Sequence, residues 1–109
     1  MEHWDLRAHE VVPHHPEVLR SDDGVLRTVV LQLPSGERMQ EHETHEHTWV
    51  VVIEGEIEIA QDGATLQGGP GFVARFDPHE RREVRARGDA RVLLFLAPWP
   101  GPGHPNLPR

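Results

Sequence analysis

The sequence predicts one all-β domain, an antiparallel sandwich or barrel, on three observations. Runs rich in Val, Ile, Leu and Phe recur at a spacing of roughly 8–12 residues. Gly, Asp or Pro stands between nearly every pair of runs. No segment shows the three-to-four-residue apolar repeat of an amphipathic helix. A chain of 109 residues is long enough for one core and too short for two.

The elements follow in order. Residues 1–17 are polar, with Pro13 and Pro16 around His14-His15, and read as an irregular arm with at most a short edge strand at Glu10-Val11-Val12. Val18-Leu19-Arg20 and Leu26–Leu33 flank Ser21-Asp22-Asp23-Gly24, and Asp-Gly between two such runs signals a hairpin. Pro34-Ser35-Gly36 closes the second run. Glu41–Ile53 is the longest strand candidate. After Glu54-Gly55-Glu56, the alternation of Ile57-Glu58-Ile59-Ala60 predicts one buried and one wet face. Gln61-Asp62-Gly63 turns into a short strand at Ala64–Gln67, which Gly68-Gly69-Pro70-Gly71 ends. Phe72–Phe76 is stopped by Asp77-Pro78, and Arg82–Arg87 by Gly88-Asp89. Ala90–Ala97 is the most apolar run and reads as a core strand. The tail from Pro98 to Arg109 is too rich in proline to be helix or central strand, because proline lacks the donor that a ladder needs.

Composition excludes several classes of function. The formal net charge is −7 and the chain has no lysine. Phosphate contacts dominate nucleic-acid affinity, so an acidic chain without a basic block is a poor candidate for that partner. Arg81-Arg82-Glu83-Val84-Arg85-Ala86-Arg87 is diluted by acids, and strand alternation divides its arginines between two faces. With no cysteine there is no disulfide, thiolate metal site or cysteine nucleophile. No run approaches a membrane span, and no basic-then-apolar leader opens the chain; the expectation is a cytoplasmic protein that meets neither membrane nor nucleic acid.

The chemistry concentrates between Gly36 and Gly55. His42, His45 and His47 fall within six residues, with Glu43 and Glu46 between them, and Val50-Val51-Val52-Ile53 follows. This stretch resembles the first motif of the cupins: a glycine, five residues, His-x-His, three or four residues, Glu, six residues, Gly. Gly36 stands five residues before His42, and Gly55 closes the frame. Gly71, then five residues to Asp77-Pro78, is similar to a shortened second motif. The resemblance spans about residues 24–97, and the ending Ala97–Pro105 is similar to that of a group of small single-domain cupins. It implies a double-stranded β-helix, a jelly-roll barrel, as one domain over residues 1–109. The core would cover about 18–97, with the arm 1–17 and the tail 98–109 on its surface.

The resemblance also implies a metal held by two histidines and a glutamate of the first motif and a histidine of the second. On that frame His42 matches, Thr44 and Thr48 replace the second histidine and the glutamate, and Arg82 stands where the last histidine is expected. A threonine hydroxyl is a poor ligand and arginine a fixed cation. Side chains alternate along a regular strand, so His45 and His47 reach the side of His42 only through a bulge or loop. With that departure, His42, His45 or His47, and His79 would suit zinc, nickel, copper or iron(II). Glu46 is read as ligand, base or surface charge. Arg82 is read as an inward guanidinium for a carboxylate or phosphate, beside Thr48, or as half of an ion pair. His3, His9, His14, His15 and His104 are expected to be bystanders. Trp49, Phe72, Val73, Phe76 and Leu94 are expected in the core or a dimer interface, since a strand apolar on both faces suggests a homodimer.

Two functions remain from the sequence. One is a metal-dependent oxygenase or isomerase acting on a small, anionic molecule. The other is a non-catalytic small-ligand binder or sensor whose metal site has decayed.

Overall fold

The computed structural model describes residues 1–40 and 42–105. It contains eight β-strands and no helix among the described residues: β1 (Glu17–Asp22), β2 (Leu26–Leu33), β3 (His47–Glu54), β4 (Ile57–Gln61), β5 (Ala64–Gly68), β6 (Val73–Phe76), β7 (Glu83–Ala86) and β8 (Ala90–Ala97). They form two antiparallel sheets, one in the order β1-β2-β8-β3-β6 and one in the order β5-β4-β7. This is the expected double-sheet β-barrel. Every turn with Asp-Gly or Glu-Gly chemistry lies where the sequence placed it. At Gly55 the reason is steric as well as conformational: φ is 77°, and a Cβ there would overlap the Asp89 carbonyl oxygen. No helix is long and apolar enough to cross a membrane among the described residues.

Alternation decides the core. Along β8, Ala90, Val92, Leu94 and Leu96 are buried while the residues between them are half-buried. Val29, Val50 and Val52 meet them from β2 and β3, and Ile57, Ile59, Phe76 and Val84 from β4, β6 and β7. The barrel interior is therefore filled largely by side chains.

The outer face of the larger sheet is also apolar. Val51 sits in register with Leu93 and Val73, and Trp49 with Phe95 and Arg75. The arm lies over part of the β2–β8 side. The Arg91 guanidinium donates to the Leu6 and His9 carbonyls, and Val11 is buried. Glu10-Val11-Val12 forms no strand. On exposed β1, Arg20 bridges Glu2 and Asp22, and its guanidinium holds the Asp22 carboxyl below the usual range through a hydrogen bond.

The long strand expected over Glu41–Ile53 is shorter. Glu41 lies outside the described residues, and β3 begins at His47. The cause is a change of sheet. Gly36 and Met39 donate to the Ala86 and Val84 carbonyls of β7, and Ala86 donates back to Glu37, so residues 36–39 run beside the smaller sheet. β3 belongs to the larger one. Residues 42–46 make the crossing and have no regular ladder.

Candidate functional site

The crossing segment is fixed by backbone bonds to the turn after β6. The Arg82 N–H donates to the His42 carbonyl (2.9 Å), and the His79 N–H to the Thr44 carbonyl (2.7 Å). The two stretches that resemble the first and second motifs thus meet.

On the inner side are Thr44, Thr48 and Arg82, all buried. Thr48 Oγ1 is 2.6 Å from Thr44 Oγ1. Both hydroxyls also reach the Glu46 carbonyl, at 3.0 Å from Thr44 and 3.3 Å from Thr48. Two hydroxyls carry two protons. One spans the pair and the other goes to the carbonyl, so the group satisfies itself. Phe76 pairs with Thr48 in the ladder, and the Arg82 guanidinium carbon lies 4.6 Å over the Phe76 ring. Arg82 is 4 % exposed and donates to the Glu80 carbonyl.

On the outer side the tail is docked. Glu46 points its carboxylate there and is 1 % exposed. Its Oε2 accepts from the Gly101 N–H at 2.8 Å and lies 2.9 Å from His104 Nδ1. A Cβ on Gly101 would overlap the His45 carbonyl oxygen, so only glycine lets the two backbones approach this closely. The His45 ring meets His79 and His104 edge to face, with centroids 4.7 and 5.4 Å apart. Trp99 is held between His104 and the Arg27 guanidinium, at 4.6 and 4.0 Å. Its carbonyl accepts from the Gly24 N–H.

The four histidines read as metal candidates therefore divide. His45 and His79 touch. His47 leaves on the outer side, 3.0 Å from an Arg75 nitrogen and 3.6 Å from Asp77. His42 is exposed and lines an open depression of about 620 Å³, which neither His45, His47 nor His79 lines. Among the described residues no group of three or more His, Cys, Asp or Glu could hold a metal ion. The irregular backbone that would unite His42 with His45 or His47 exists, but it turns Glu46 outward rather than a histidine inward. At the positions implied by the resemblance, the donor set is one imidazole, two mutually bonded hydroxyls and a guanidinium. That set does not fit a divalent cation.

Of the residues read as substrate contacts, Arg82 lines the depression, with Arg38 and Arg81 beside it. Thr48 is at 0 % exposure and Glu46 is occupied by the tail. Sequence reading missed the tail contact, taking His104 for a bystander. The sequence signal was the Pro-Gly-x-Gly-His spacing at the chain end, which has no partner until the fold supplies one.

A family model described as "Cupin domain" matches residues 29–98. No curated protein matches the chain. Among solved structures, an RmlC-like cupin protein from Desulfovibrio desulfuricans is 26 % identical with a TM-score of 0.74, covering 90 % of this chain and 96 % of that one. A cupin superfamily protein from Desulfitobacterium hafniense is 16 % identical with a TM-score of 0.71, covering 84 % of each. A protein of unknown function from Rhizobium leguminosarum is 16 % identical with a TM-score of 0.71, covering 88 % of this chain and 95 % of that one. The last two likenesses speak to fold alone.

Proposed function

The chain belongs to the cupin family, and on that premise we propose that it is a small-ligand-binding domain that works without a resident metal. The observation that carries this reading is the 2.6 Å contact between Thr44 and Thr48 Oγ1, at two positions where the family resemblance implies ligands. Each hydroxyl spends its bonding on the other and on a carbonyl. A metal there would have to break that group beside a fixed cation, Arg82. The metal-dependent oxygenase or isomerase reading needs His42, His45 or His47, and His79 to converge, and the geometry gives it no support. The ligand site in this proposal is the depression bordered by His42 and Arg82.

Elemental analysis of protein purified without a histidine tag tests the reading, together with thermal unfolding in the presence of zinc, nickel, copper and iron(II). The expected result is folded protein with metal far below one equivalent and no stabilisation by any of the four. Near-stoichiometric metal that disappears in His42→Ala would overturn it.

The proposal includes a homodimer. Trp49 is 44 % exposed and Val73 half-exposed, next to half-buried Val51, Leu93 and Phe95. An apolar sheet face of this kind suits a second copy packed as a sandwich. Light scattering should give the mass of two chains, and Trp49→Glu the mass of one; a monomeric unmodified protein would refute the dimer.

A further inference from the structure

We infer that the open edge of β5 is a second interface between copies of this chain, through which two of the smaller sheets join antiparallel into one. It belongs to the opposite sheet from the apolar face around Trp49 and does not depend on that face.

Each sheet has two edges, and three of the four are blunted by devices that keep strands from pairing. β1 carries Glu17, Arg20 and Asp22, and its register shifts between Val18 and Arg20. β6 is four residues long, and its Arg75 is tied to Asp77 at 3.0 Å. β7 is covered, since residues 36–39 run along it and Arg38 bridges to Arg85. β5 has none of these devices. Its pairing with β4 is regular from Ile57↔Gly68 to Gln61↔Ala64, and the sequence from Gly63 to Ala74 has no charged residue. Among the described residues no strand pairs with its other edge.

The side chains of β5 lack cover as well. Val84, Ile59 and Leu66 stand in register across β7, β4 and β5, and Val84 and Ile59 belong to the core. Exposure rises along this row from 2 % to 6 % to 64 %. An apolar side chain on the core-facing side of the sheet is thus left in water at its end, and one further strand would continue the row over it.

A second copy fits this edge better than a foreign strand, because β5 complements itself. A two-fold axis at Leu66 sets it against the partner's Leu66, Thr65 against the partner's Gln67 and Ala64 against the partner's Gly68. No charge meets a like charge, since Asp62 would stand across from the partner's Pro70. The apolar pair at the centre is a stabilising cross-strand contact, and the antiparallel ladder supplies the backbone bonds. A foreign strand is selected through pockets for its alternate side chains, whereas β5 presents a single large side chain, Leu66, between small and polar ones. Five residues bury little area, so the contact is weaker than a whole sheet face and forms at higher protein concentration.

Cysteine cross-linking of the full chain reads the register, because the chain has no cysteine of its own. Leu66→Cys puts two thiols on directly opposite residues, with Cα atoms about 4.5–5.5 Å apart and within reach of a disulfide. Thr65→Cys puts them on a diagonal, about 7–8 Å apart and out of reach. In a glutathione redox buffer Leu66→Cys is expected to become a covalent dimer and Thr65→Cys to stay a single chain on a denaturing gel. Sedimentation between about 10 µM and about 1 mM should show the mass of the unmodified protein double. Leu66→Lys should abolish that doubling at an unchanged melting temperature, since Leu66 is mostly exposed, and Trp49→Glu should keep it. Equal cross-linking at positions 65 and 66 overturns the inference. So does a mass that never doubles, which rules out a second copy at this edge. Doubling that is lost in Trp49→Glu and kept in Leu66→Lys overturns it and leaves the sheet face as the interface. Doubling from one chain to two that is lost only in Leu66→Lys upholds it and refutes the sheet-face dimer.

Discussion

The inner and outer sides of the segment 42–48 use opposite kinds of residue for opposite ends. The outer side carries the groups that usually signal chemistry, His45, Glu46 and His47. Two of them are spent on structure: Glu46 on Gly101 and His104, and His45 on ring contacts with His79 and His104. The inner side carries Thr44 and Thr48, which look inert in sequence, and these occupy the positions that face the barrel. Burial, not reactivity of the side chain, assigns the role. A carboxylate that loses its water must be given donors in return, and here the tail gives them.

The largest effect on this comparison is expected at Gly101. Its N–H serves Glu46, and a methyl group would collide with the His45 carbonyl. A backbone oxygen cannot rotate away as a side chain can, so Gly101→Ala must lift the tail from Glu46. The cost combines overpacking with a buried carboxylate short of a donor, about 3 kcal/mol together. That corresponds to a fall in Tm of roughly 10–20 °C in a domain of this size, readable by calorimetry. A Tm within about 2 °C of wild type would mean that the tail contributes little to stability. The outer side would then be free for chemistry after all.

The fold was legible because strand alternation and turn chemistry are local. β2 and β8 match the predicted runs Leu26–Leu33 and Ala90–Ala97 to the residue, since each is bounded by residues that end a ladder. The site was legible only as a frame. Spacing placed Gly36, His42 and Gly55, because a hairpin between two sheets needs a fixed length. It did not show that the chain changes sheets at residues 42–46, so strand parity, which groups Glu46 with His42, Thr44 and Thr48, could not tell that the Glu46 carboxylate turns to the tail. The pairing of Glu46 with His104 joins residues 58 apart. No periodicity encodes such a contact, and a proline-rich tail gives no strand or helix register from which to infer one. Arg38 and Arg81 were invisible as a pair for the same reason, since residues 36–39 and the turn before β7 become neighbours only when the barrel closes.

A smaller effect is expected on the inner side, and its form is more informative than its size. Valine matches threonine in shape but has no hydroxyl, so Thr44→Val and Thr48→Val remove the bonds with little change of packing. In either single variant the remaining hydroxyl still reaches the Glu46 carbonyl, at 3.0 or 3.3 Å, so each should cost about 1 kcal/mol. In the double variant the bond between the two hydroxyls has already been lost once, and it cannot be lost twice. The double cost should therefore fall short of the sum by about 0.5–1 kcal/mol, the coupling of residues in direct contact. Denaturant titration of the four proteins measures that cycle. Strict additivity would show that the pair is not the closed unit that its 2.6 Å separation describes. The hydroxyls would then be available to a ligand, and the contrast between a structural outer side and a closed inner side would fail from within.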